Sequence, residues 1–230
     1  YIICVTISLK KGRRDMKKSV YSVVLSDNVI SEIDKLAYIN GTNRSNMINQ
    51  ILAEYVSLIT PEKRIQNVFD ELSSLLFVKD DFKLMNPPSH SSLSLSSALS
   101  YKYNPTVKYV VELYRDVSRG DGEIRVSMRT QNAVLISEMI NFYRLWTGIE
   151  EHYGYSGEVI YKDGVFTRKI IIRNSPFYRG EEKNVSVADM IAEYIYLFDK
   201  AMKTYFSSDG SAEEIEKMYL VYLNKNGKII

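Results

Sequence analysis

The chain has 230 residues, 45% hydrophobic and 25% charged, a balance ordinary for a soluble globular protein, and no apolar run in it reaches the roughly 18 residues that a membrane span needs. A single cysteine, Cys4, excludes an intrachain disulfide, and with only two histidines, His90 and His152, neither a structural metal site nor any other cofactor is expected. The formal net charge of +2 is too small to argue for a polyanionic partner.

The first nine residues, YIICVTISL, are apolar, but the positive charges follow them. That is the wrong order for a secretory signal, and a cytoplasmic location is the expectation. The first methionine is Met16, immediately after KKGRRD. A purine-rich ribosome-binding site read in frame would encode such a peptide. Residues 1–15 are therefore expected to be upstream sequence joined to a frame that begins at Met16, which would take the net charge from +2 to −1. The alternative is a basic arm able to bind phosphates.

Val20 to Leu25, VYSVVL, is rich in β-branched and aromatic residues and predicts a short strand. Tyr21, Val23 and Leu25 fall on one face, and Lys18, Val20, Ser22 and Val24 on the other. Ser26 is placed to cap a helix whose first turn holds Asp27. Val29, Ile30, Ile33, Leu36 and Ala37 then recur at helical spacing, and Gly41 is placed to end the helix. Thr42 and Asn43 are the next capping candidates. Met47, Ile48, Ile51, Leu52, Tyr55 and Val56 form a second apolar stripe. A unit of about forty residues cannot bury two such stripes by itself, so dimerisation is expected.

Residues 59–92 read as a helix and linker. Thr60 caps and Pro61 opens the helix, Ile65, Val68, Phe69, Leu72, Leu75 and Leu76 give it an apolar face, and the stretch 78–92 with Asn86-Pro87-Pro88 reads as loop. Residues 93–230 read as a further domain of unknown role. Alternation predicts strands over Leu93–Tyr103, Val107–Leu113 and Ile124–Met128, with a turn at Gly120-Asp121-Gly122. A helix is predicted over about 132–149, a hairpin turning at Asp163-Gly164, and two helices over about 187–206 and 212–223, the last with a capping-box pattern from Ser211 to Glu214. Strands followed by helices argue for an antiparallel α+β domain.

The stretch of residues 17–57, which opens with KKSVYSVVLSDNVISEIDKLAYINGTNRSNMINQILAEYV (17–56), resembles the ribbon-helix-helix family of DNA-binding proteins, the Arc/MetJ/CopG-like group. The resemblance lies in the strand ending at Leu25, the Leu36-Ala37 pair, Gly41, the Arg44-Ser45 pair and Tyr55. It implies that two chains pair their strands into a ribbon that enters the major groove of double-stranded DNA. Lys18, Val20, Ser22 and Val24 would then face bases, and Asn43, Arg44 and Ser45 would hold a phosphate at a helix N-terminus. Tyr21, Val23, Leu25, Ile33, Leu36, Ile48, Leu52 and Tyr55 would form the dimer core. Val20 and Val24 depart from the family's polar base-facing side chains. They can touch thymine methyls but cannot hydrogen-bond bases, and a module that only dimerises is the alternative.

The expected function is a dimeric, sequence-specific transcriptional regulator, a repressor. The alternative is an antitoxin or plasmid-maintenance protein whose C-terminal region binds a protein partner. No enzyme motif is present: there is no phosphate-binding glycine loop, no paired-cysteine site and no HExxH. His152, after Glu150 and Glu151, reads as a surface histidine beside a solvated acidic pair. Phe142, Tyr143, Trp146, Tyr153 and Tyr155 read as the aromatic face of a helix packed on a sheet, with a ligand pocket as the alternative. Arg125, Arg129, Arg168 and Arg173 read as solvent-side strand residues.

Overall fold

The computed structural model describes residues 22–78, 81–89, 91–101, 104–115, 119–162, 164–172, 186–207 and 211–226. The chain forms two compact units, Tyr1–Val56 and Ser57–Ile230. No described helix is long and apolar enough to cross a membrane.

The N-terminal unit contains α1 (Asp27–Ile39) and α2 (Arg44–Tyr55). Ser26 occupies the N-cap of α1 with extended backbone, but its side chain makes no capping bond. Only its carbonyl serves, accepting from the Ile30 N–H at 3.0 Å. α1 ends where Gly41 adopts φ 58°, a left-handed conformation that costs glycine little. The Thr42 N–H then reaches the Ala37 carbonyl at 2.9 Å, and the Gly41 N–H reaches that of Tyr38 at 3.1 Å. This pair of bonds is a Schellman closure. Across the turn, Ile33 and Ala37 of α1 bury against Met47 of α2, with Leu25 and Ile48 packed beside them.

The C-terminal unit runs α3 (Pro61–Phe77), β1 (Phe82–Leu84), β2 (Ser92–Ala98), β3 (Thr106–Leu113), β4 (Gly122–Met128), α4 (Ala133–His152), β5 (Val159–Lys162), β6 (Val165–Ile170), α5 (Val187–Ser207) and α6 (Ala212–Asn226). The strands form one sheet in the order β1-β2-β3-β4-β6-β5, antiparallel throughout. The expected α+β class is what is seen. Lys162 pairs with Val165 across the two-residue connection at 163–164, where Gly164 has φ 76°. Gly122 opens β4 where a Cβ would lie 2.3 Å from the Glu112 carbonyl oxygen, so only glycine fits this close approach.

Two boundaries differ from expectation. The helix-and-linker segment is part of the C-terminal unit: α3 places Ile65, Phe69, Leu72 and Leu76 in the main core, and residues 82–84 add β1 to the edge of β2. A three-residue strand is too short to show alternation in sequence. The strand expected over Leu93–Tyr103 stops at Ala98. Leu99 and Tyr101 lie in the turn into β3, where Asn104 has a positive φ of 42°, and residue 103 lies outside the described residues.

One sheet face packs against the helices. Phe198 of α5 sits at its centre, with ring centroids 5.3 Å from Phe142, 5.2 Å from Trp146 and 5.1 Å from Phe166. The aromatic residues of α4 therefore pack on the sheet as expected. Two charged residues join them against expectation. On β6, Arg168 alternates with Phe166 and Ile170 and points inward with them. Its Nε donates to Oε1 of Glu150 at 2.8 Å, and both side chains are fully buried. The guanidinium lies between two tyrosine rings, 3.8 Å from the Tyr155 centroid and 4.3 Å from that of Tyr194. Burial pushes the Glu150 carboxyl up, and the Arg168 charge opposes that rise. Glu150 is thus a core residue, while Glu151 and His152 are exposed at the helix end. Arg125 is half-buried in ion pairs with Glu112 and Glu123, and Arg129 is exposed. Arg173 lies outside the described residues.

Candidate nucleic-acid interface

Of the residues expected to face bases, Ser22 and Val24 are described, and Lys18 and Val20 lie outside the described residues. Ser22 is exposed and Val24 is 100% exposed, whereas the next residue, Leu25, packs on the Ile33–Met47 cluster. Adjacent side chains thus point to opposite sides, as in an extended strand. Residues 22–26 form no ladder within the single chain, so no ribbon is seen there.

The expected dimer-core residues separate into two groups. Ile33 is buried within the chain, and Leu25 and Ile48 are half-buried beside it. Val23, Leu36, Leu52 and Tyr55 remain exposed, at 71%, 42%, 58% and 88%. Tyr21 lies outside the described residues.

The expected phosphate site is at the start of α2. The Asn43 side chain accepts from the Asn46 N–H at 2.9 Å and so caps the helix. The first helical bond runs from Met47 N–H to the Asn43 carbonyl, at 3.0 Å. The amides of Arg44 and Ser45 precede it, in the turn where helix geometry leaves N–H groups without helical partners. Arg44, however, does not reach outward freely. Its Nε and Nη2 donate to the two carboxylate oxygens of Asp34 on α1, at 2.7 and 2.5 Å. The hydrogen bond from Arg44 holds the Asp34 carboxyl below its ordinary range, and the same bond raises Arg44. Sequence reasoning missed this pair, because Asp34 and Arg44 stand ten positions apart on different helices and the turn geometry decides whether they meet.

No group of three or more potential metal ligands occurs among the described residues. Comparison with known proteins finds no family model, no curated protein and no solved structure that matches this chain.

Proposed function

We propose that this chain is a DNA-binding transcriptional regulator, a repressor, that works as a dimer through residues 16–58. One observation carries the reading: α1 and α2 bury only a small cluster between themselves and leave Val23, Leu36, Leu52 and Tyr55 in solvent. A unit so poor in core has an evident use for a second copy. Burying each such side chain contributes on the order of 1.5–3 kcal/mol. Pairing two Ser22–Leu25 segments would satisfy their free backbone edges and turn Val23 inward, with Ser22 and Val24 outward. An outward ribbon of this width suits a major groove.

The α2 N-terminus would anchor the ribbon by a backbone phosphate, with the Arg44 and Ser45 amides donating and Arg44 exchanging Asp34 for the phosphate. The C-terminal unit has its own core and sheet, which suits a separate regulatory or assembly role. Sedimentation of the full chain tests the dimer. Wild type is expected as a dimer, and Val23→Asp as a monomer that no longer retains duplex DNA. A monomeric wild type that still binds DNA would overturn the reading.

A further inference from the structure

The sheet of the C-terminal unit has a second face, opposite its helices. Strand register sets what lies there. Lys83 pairs with Ser96, Ser96 with Lys108, Lys108 with Ser127, Ser127 with Val165, and Val165 with Lys162. Paired residues share a face, so these six form one row from edge to edge. Lys83, Lys108 and Lys162 are exposed. Among the described residues, no ion pair involves any of the three. The adjacent row, from Ser94 to Ile160, carries Arg125 and no carboxylate. The row beyond holds three glutamates: Glu112 and Glu123 are matched by Arg125 and Lys169, and Glu158, opposite Lys169, is exposed. The lysine row itself thus carries three ammonium groups and no carboxylate.

We propose that this row is a second DNA contact, one that holds the phosphate backbone of duplex DNA without reading its sequence. Charge complementarity selects a polyanion, because three exposed ammonium groups face out together and each can donate to phosphate oxygens. The side chains argue for duplex over unpaired strands. Neither of the two rows holds an aromatic ring on which a free base could stack. At about 4.8 Å between neighbouring strands the row spans roughly 24 Å, the rise of about seven base pairs. The choice of DNA among polyanions rests on the function proposed above, but the contact lies on the other unit and is tested separately.

The experiment is a salt titration of full-length protein on a random-sequence duplex and on one of its single strands, read by fluorescence anisotropy. The set is wild type, the triple variant Lys83→Gln, Lys108→Gln, Lys162→Gln, the matching triple Lys→Arg variant, and Arg44→Ala. Each phosphate contact contributes about 0.9 to the slope of log affinity against log salt. The glutamine variant is expected to lose about three units of slope, and the arginine variant to keep them. A glutamine variant with wild-type slope overturns this inference, and loss in Arg44→Ala alone then leaves the N-terminal reading standing. Loss in the glutamine variant with none in Arg44→Ala supports the row and counts against the phosphate anchor on α2. Weakened binding to single strands with unchanged duplex binding overturns the choice of duplex. A wild-type chain without salt-dependent duplex binding overturns both proposals.

Discussion

Arg44, the first residue of α2, is held by both carboxylate oxygens of Asp34 on α1, at 2.7 and 2.5 Å. The residue expected to hold a phosphate thus already holds an anion, supplied by its own chain. An exposed pair of this kind is weakly held and exchanges readily. DNA binding through Arg44 would therefore be a substitution of one anion for another, with Asp34 left beside the phosphate as a like charge.

Asp34→Asn should then strengthen binding. It removes the competitor and the repulsion together, so affinity for operator and random duplex should rise by a similar factor of several-fold. Arg44→Ala should lower both and reduce the salt slope by about one. Anisotropy titrations of the two variants check this. Weaker binding by Asp34→Asn would mean that the pair positions Arg44 and does not compete for it.

Ser22 is the described polar residue on the proposed base-facing side. Losing one base contact typically costs about 1–3 kcal/mol at that position. Ser22→Ala should therefore narrow the ratio of operator to random affinity and leave the salt slope unchanged. An unchanged ratio would place the reading face elsewhere, with Ser19, Tyr21 and Val23 outward or with no base reading at all.

The Glu150–Arg168 pair makes a different kind of prediction. With both side chains fully buried, removing one charge strands the other in the core. Arg168→Met should cost about 3–5 kcal/mol, as should Glu150→Gln, whereas the double variant Glu150→Leu, Arg168→Met should recover most of that loss. Denaturant unfolding of the C-terminal unit reads the difference. Single variants within about 1 kcal/mol of wild type would show that the pair is not held as described.

The domain boundary can be tested by proteolysis. α3 supplies Ile65, Phe69, Leu72 and Leu76 to the main core, and β1 supplies Phe82. Cleavage should be easiest near residues 57–59, where Ser57 takes a positive φ of 56° and Leu58 and Ile59 are exposed. The resulting fragment should be stable. A fragment beginning at residue 93 should not fold, because it lacks α3 and β1. A stable core produced by cutting at Asn86-Pro87-Pro88 would contradict this.

Local signals carried most of the elements. Asn43, Thr60-Pro61 and Gly41 each mark a helix end in sequence, and each does so in the structure, because capping is decided by a few neighbouring residues. The strands with four or more alternating residues were legible for the same reason. What escaped depended on distant partners. Residue type alone puts Arg168 on the solvent side, although its period of two with Phe166 and Ile170 marks the inward face. Glu150 follows Trp146 at helical spacing and shares its buried side. An arginine is tolerated in such a core only with a carboxylate opposite, and nothing local shows that one will be there. In the candidate interface the Asn43 cap was legible, but the Asp34 contact was not, nor which of the apolar residues the two helices would bury within the chain.

The central claim is that a dimer of this chain reads a DNA sequence. It is tested most directly by incubating the full-length protein with sheared duplex from its own genome and sequencing the fragments it retains at increasing salt. The account predicts a small set of fragments sharing a short sequence in two related half-sites, as a two-fold dimer requires. Retention of no fragments, or of fragments with no shared sequence at any salt, would contradict it.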